Sequence, residues 1–343
     1  VTDAGRGAAG WMFDRRTALK IALGFAVAVV LIYLLGAVVG WEATLTRLRM
    51  ADPWWVLAAL VSTVLCLFAW GKTWQIVLSA VGVRVPYPKL VVTFFAATFA
   101  NYVTPMGQAG GEPFIAFILS RDTEADFEES LASVVIADIL RMLPFLNVGL
   151  VGLGYLTWQA DLPDGLEVFA YLLVAFAVVM PAAIVLAWRY RRTVRRGIVR
   201  GVGSLTSRTK RYDAQTVDRR IGHLYESLEV IRESPRALLV AVGYAYVGWV
   251  LFALPLYFSG LALGLEVPLL LVCFLVPIAV IAGSTPLPGG LAAIEGTLVA
   301  LLTALLAFSG DQALAVTTVY RLTSYWFVIL FGGAAALWVL ARV

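Results

Sequence analysis

The sequence predicts an all-α polytopic membrane protein, with about six full transmembrane helices and two re-entrant or short-helix hairpins in an inverted repeat. Three observations carry this. Hydrophobic residues make up 61% of the 343-residue chain and charged residues 14%, with a mean hydropathy of +0.87, which is more apolar surface than a soluble domain can bury. Apolar runs recur at the length a helix needs to cross ~30 Å of hydrocarbon. The net charge of +4 is mostly arginine and sits between those runs, where it signals topology.

Taken in order, the first apolar run, 18–40, is too long for a signal peptide and lacks a small-residue cleavage site, so it reads as a true span. Further spans follow at 54–80, 130–157, 166–188, 236–262 and 312–341. Two segments are interrupted. The first runs from Leu90 to Pro105 and resumes from Glu112 to Ser120, with arms of only ~24 Å and ~14 Å as helices. The second runs from Pro268 to Thr285 and resumes from Leu291 to Phe308, with arms of ~27 Å that either span or stop short.

Charge orients these elements. Residues 189–211 carry nine Lys or Arg and no acid, which assigns this loop to the cytoplasm of a cell-membrane protein. Parity then puts the N- and C-termini inside, makes the first broken segment a hairpin that begins and ends inside, and makes the second begin and end outside. Residues 213–233 repeat apolar side chains at three and four, which describes an amphipathic helix on the inner leaflet. Its His223, the only histidine, reads as an interfacial side chain rather than a catalytic one. Cys66 and Cys273 lie far apart in apolar runs without metal-ligand spacing, and no cofactor is implied.

Inside the membrane, the stretch "TPMGQAGGEP" (104–113) is echoed by "STPLPGGLAAIEG" (284–296). Each has Thr-Pro, Gly-Gly and Glu, and each hands over to a span with a buried arginine. Pro105 precedes Arg141 by 36 residues and Pro286 precedes Arg321 by 35. The chain therefore reads as one transmembrane domain, with a first repeat over about 54–157, the cytoplasmic insert 189–235, and a second repeat over about 236–341. Inverted repeats with interrupted helices are the architecture of carriers that alternate access between two sides.

These residues carry a resemblance. "NYVTPMGQAGGEP", "ADILR", "PLPGGLAAIEG" and "YRLTSYW" resemble the flippase-like transmembrane region of lysylphosphatidylglycerol synthases and its stand-alone relatives, over about residues 54–341. The chain departs from the family pattern at Ala292, Ala293 and Ile294 before Glu295, where Gly-Val-Arg-Glu is common, so a basic residue is missing. No soluble domain follows Arg342, so the resemblance implies lipid translocation without aminoacyl transfer.

Five ionisable groups lie inside the apolar segments: Glu112, Asp138, Arg141, Glu295 and Arg321. Each costs at least ~2.5–3.5 kcal/mol there unless it pairs or lines a wet cavity. Asp138 and Arg141 share a helix face and can form a self-contained pair. Arg321 has Thr317 and Tyr325 four residues either side, a polar stripe. Glu112 and Glu295 follow glycine-rich breaks, where free N–H groups favour an anion, so each is either a plain dipole partner or a proton carrier. Gly107, Gly110, Gly111, Gly289 and Gly290 allow close backbone approach, and Asn101 offers an amide before the first break. A headgroup site built of Asn101, Gly110, Gly111, Glu112, Asp138, Arg141, Gly289, Gly290, Glu295, Arg321 and Tyr325 would hold a lipid phosphate on its arginines. The expected partner is a membrane lipid and not a nucleic acid, and a homo-oligomer is compatible with this reading. A channel built on the same hairpins is the alternative. An embedded enzyme ranks below both, since the Asp-rich and Ser/His constellations of such enzymes are missing from the sequence.

Overall fold

A computed structural model of the chain describes residues 15–104, 127–159, 167–190 and 234–341, with the isolated positions Thr193, Gly222 and Glu229. The first glycine break with Gly107, Gly110, Gly111 and Glu112, and nearly all of the basic loop and amphipathic segment with His223, lie outside the described residues. Among the described residues every regular element is helical.

Helix α1 (Arg15–Val39) ends at Gly40, whose φ of 112° is open only to glycine, and the chain turns by 93° into α2 (Trp41–Arg49). Trp41 secures the corner. Its indole donates to the Tyr33 carbonyl at 3.0 Å and lies where a Cβ on Gly36 would come within 2.1 Å of the ring. The expected straight span over 18–40 is thus the long arm of a bent pair.

Helix α3 (Pro53–Ala80) begins on an Asp52 cap that accepts from Trp54 N at 2.9 Å, with Pro53 at the first helical position. Helix α4 (Tyr87–Val103) covers the first arm of the first interrupted segment, whose second arm lies outside the described residues. Next come α5 (Phe127–Gln159), α6 (Glu167–Arg189) and α7 (Pro235–Ala262). The second hairpin is α8 (Leu269–Ala282), a 3₁₀ turn at Pro288–Gly290, and α9 (Ala293–Leu306). With 14 residues each, α8 and α9 reach ~21 Å, short of a full crossing. Counted from the turn, the second arm extends over Pro288–Leu306 and becomes long enough to span. The last expected span is α10 (Gly310–Arg321), a π-helical turn at Leu322–Trp326, and α11 (Phe327–Leu340), one line of helix with a bulge at its middle. Among the described residues five helices are long and apolar enough to cross a membrane, or six with the bent pair.

Helices α3 and α7 are both 28 residues and pack side by side in opposite directions. Asp52 N donates to the Ala262 carbonyl at 2.7 Å at one end, Ser62 Oγ to Leu251 O at 2.7 Å further along, and Thr73 Oγ1 to Ala241 O at 3.3 Å near the other. Trp70 fills the space left by Gly248, where a Cβ would sit 2.2 Å from its indole nitrogen. Lipid tails are as apolar as leucine, so such close van der Waals fit and hydrogen bonding hold the helices together.

The two helices also leave by the same turn. Ala80-Val-Gly82-Val-Arg-Val-Pro86 and Ala262-Leu-Gly264-Leu-Glu-Val-Pro268 each place glycine at positive φ (92° and 67°). Each closes with a bond of 2.9 Å, Val83 N to Leu78 O and Leu265 N to Gly260 O. Each then enters the next helix through a proline at φ −57°. From there the packing crosses over. α4 lies on α11, where a Cβ on Gly332 would be 2.7 Å from Phe95 O, and α8 lies on α5, where one on Gly152 would be 2.2 Å from Phe274 N.

Candidate functional site

The second hairpin builds its site from backbone outward. Gly289 and Gly290 adopt φ of 56° and 62°, and added side chains would collide at 2.0 Å with the Tyr325 ring and at 2.7 Å with the Gly283 Cα. Ala292, not a glycine, also sits at φ 67°, a conformation that costs of order 1–2 kcal/mol. That turn starts α9 so that Glu295 falls in its first turn, with its side chain buried where the helix dipole favours an anion.

Arg321 closes α10 and is 7% exposed. Its Nε donates to Glu295 Oε1 at 2.7 Å and its Nη2 to the Gly289 carbonyl at 3.0 Å. The guanidinium lies 4.2 Å from the centre of the Tyr325 ring, a cation–π contact in a buried position. The π-turn that begins directly after Arg321 carries Tyr325, and such bulges occur frequently at functional sites. The sequence expectation of arginine donors directed at a phosphate meets a different geometry: Nε and Nη2 of Arg321 are already engaged, by a carboxylate and by the glycine turn.

The second arginine lies on α5. Arg141 Nη2 is paired with Asp138 one turn earlier, as the spacing predicts. Trp74 Nε1 also donates to the same Asp138 oxygen at 3.3 Å, and the guanidinium faces the rings of Trp70 at 4.9 Å and Phe94 at 5.7 Å. Trp249 Nε1 donates to the Arg141 carbonyl at 2.8 Å and ties α7 to this point.

Tyr102, in the last turn of α4, packs against Tyr325, with ring centres 5.1 Å apart, and against the apolar cluster that contains Trp70 and Trp74. Asn101 is half-buried beside it. Several polar atoms around this interior are buried without a hydrogen-bond partner among the described residues: Asp138 Oδ2, Arg141 Nε, Glu295 Oε2, Thr317 Oγ1 and Tyr325 Oη. Buried polar atoms are nearly always satisfied, so a site with both orphaned acceptors and an orphaned donor is shaped for something more than its own side chains.

Of the residues expected from the sequence, the structure brings Gly289, Glu295, Arg321 and Tyr325 into direct contact, backs them with Gly290, and pairs Asp138 with Arg141. Gly110, Gly111 and Glu112 lie outside the described residues. Trp70, Trp74 and Tyr102 were not legible as site residues, because an aromatic in an apolar helix carries no signal of which face it takes. Tyr102 alone stood close to one, a residue past Asn101 and just before the Thr-Pro break. Among the described residues no group of three His, Cys, Asp or Glu could hold a metal.

Comparison with known proteins places this geometry. The family described as the lysylphosphatidylglycerol synthase TM region matches residues 21–332. The chain belongs to this family. It is similar to a UPF0104 membrane protein of Methanothermobacter thermautotrophicus, 26% identical over 336 residues, which are 95% of this chain and 94% of the relative. A second UPF0104 membrane protein from that organism is 25% identical, covering 92% and 94%. One from Pyrococcus horikoshii is 25% identical, covering 93% and 96%. This member of the lysylphosphatidylglycerol synthase TM-region family is thus a multi-pass membrane protein in which the family match takes in both arginine clusters.

Proposed function

We propose that the protein moves a lipid with an anionic or zwitterionic headgroup, a phospholipid or a polyprenyl-phosphate-linked sugar, between the leaflets of the cell membrane. The headgroup passes the interior bounded by Arg141, Tyr102 and Arg321 while the tails stay in lipid. The observation that carries this reading is two guanidinium–carboxylate pairs, Glu295–Arg321 buried and Asp138–Arg141 half-buried, each with a carboxylate oxygen that has no partner among the described residues, inside an otherwise apolar bundle. Guanidinium suits phosphate because it offers parallel donors, and buried charges in a membrane persist where a substrate path needs them.

The carrier architecture rests on the two halves being inverted copies. The antiparallel α3/α7 pair, the shared turn at Gly82 and Gly264, and the crossed packing at Gly332 and Gly152 support it, since equivalent helices that run in opposite directions present the same site to opposite faces. The basic segment 189–211 and both termini are assigned to the cytoplasm by its nine cations. The family match covers the membrane region of a lipid-synthase family, which supports a membrane protein tied to lipid metabolism or transport. A pore is the second reading, favoured by the short arms α8 and α9.

The test is the protein reconstituted in vesicles with a fluorescent phospholipid, and movement read by bleaching the outer leaflet. Arg321→Lys keeps the charge but loses the planar fork, so movement should fall at least about tenfold while the melting temperature stays near that of the parent. Normal movement by a stable Arg321→Ala protein rejects the site, and ion conductance without lipid movement replaces the carrier by the pore.

A further inference from the structure

We infer that headgroup binding is coupled to uptake of one proton by Glu295, so that the carrier moves lipid and proton together; this rests on the lipid reading above. Arg321 cannot grip a phosphate with the donors it now spends on Glu295 and the Gly289 carbonyl. A phosphate that takes the Nε edge displaces the carboxylate, and a carboxylate left charged in this buried position has no other cation among the described residues that surround it. Burial disfavours an uncompensated charge strongly. The displacement balances when the carboxylate leaves as the acid. The Glu295 to Arg321 ion pair breaks, the Arg321 to phosphate pair forms, and a proton from water on the face through which the headgroup entered bonds to a Glu295 oxygen. One negative charge and one positive charge enter together, so the net charge of the site is unchanged.

The surroundings of Glu295 suit this step. Its Oε2 is buried and has no hydrogen-bond partner among the described residues, so a proton can bond to it while Oε1 is still held by Arg321, before that ion pair breaks. Among the described residues the charged and titratable groups on this side are Arg321 on α10, with Tyr320 preceding it, and Tyr325 on the π-turn with Tyr102 of α4 against its ring. Helix α8, packed on α9, carries only Cys273, and α1 contributes Ala28 and Ile32 to this face. Arg321 is the single permanent cation in that set, so its change of partner is what Glu295 must answer.

The other cluster does not require a proton. Arg141 already has an unpartnered Nε, and Asp138 keeps a second donor in Trp74, so an acceptor can approach Arg141 with its ion pair intact. The two clusters thus differ in chemistry: one receives a headgroup directly, and the other exchanges partners.

Calorimetry on the full chain in detergent, with dihexanoyl-phosphatidylglycerol as the probe, tests this. Its phosphodiester does not titrate near neutral pH, and buffers of different ionisation enthalpy report protons exchanged. Wild type should take up about one proton per lipid, with affinity falling about tenfold per pH unit where Glu295 is charged in the free protein. Glu295→Gln can still accept from Arg321 through its amide oxygen, so it should bind with no proton exchanged and no such slope. Binding by wild type without proton uptake, or equal uptake by Glu295→Gln, overturns the coupling and leaves the lipid reading in place. Failure of wild type to bind overturns both. Should Glu295→Gln not fold, the wild-type proton count and pH slope decide alone.

Discussion

At the scale of single residues, the buried arginine and its carboxylate act as a unit. Arg321→Ala leaves Glu295 buried without its cation, which costs about 3–5 kcal/mol. The melting temperature should fall clearly, and Arg321→Ala with Glu295→Ala should recover most of it without restoring lipid movement. Recovery of both by the double variant would mean that the pair only holds helices together. Gly289 makes a different kind of prediction. At φ 56°, with the Tyr325 ring 2.0 Å from any Cβ, Gly289→Ala meets strain and collision at once. It should destabilise by at least 1–3 kcal/mol as overpacking does, read as a loss of folded protein on size exclusion. The glycine pair was legible in the sequence as a place of close approach, but what approaches is the protein itself, the ring of Tyr325 and the backbone of Gly283. Periodicity and spacing do not say which partner fills the space that a missing Cβ leaves.

At the scale of elements, the crossed packing of α4 on α11 and α8 on α5 depends on two glycines on helices far apart in sequence. Gly152 and Gly332 each face backbone too close for a side chain, at 2.2 Å and 2.7 Å. Gly152→Val and Gly332→Val should each force the helices apart and lower stability by more than about 1–3 kcal/mol. Gly154, two residues from Gly152, has open space where its Cβ would be. Gly154→Ala should be neutral or stabilising by about 0.5–1 kcal/mol, from helix propensity alone, in the same thermal unfolding series. The three glycines look alike in the sequence, and only the position of a second helix separates them. The π-turn at Leu322–Trp326 belongs here too. Its residues read as one more stretch of apolar helix, and the bulge shows only where α10 and α11 must both pack while Arg321 and Tyr325 stay in contact.

At the scale of the whole molecule, the proposed inversion predicts access. In a variant lacking Cys66 and Cys273, Ser284→Cys and Gln108→Cys should be labelled by an impermeant thiol reagent from opposite faces of oriented vesicles, since Ser284 is exposed beside the second turn. Labelling of both from one face removes the inverted repeat. A reporter fused after Arg200 should report the cytoplasm, because nine Lys or Arg at about 1 kcal/mol each hold 189–211 against anionic lipid. The class, the approximate number of spans and the pairing of the second hairpin with the helix that bears Arg321 followed from composition and spacing, because a bilayer imposes helix length and penalises charge whatever the fold. The matching turns around Gly82 and Gly264 were in the sequence as well, but common apolar residues gave them no voice until both were seen to end antiparallel helices. The pairing of Arg321 with Glu295, the contact of Tyr102 with Tyr325, and the carboxylate oxygens left without a partner among the described residues were decided by tertiary structure alone. These depend on side chains from helices tens to hundreds of residues apart meeting at one point, and local sequence carries no record of that meeting.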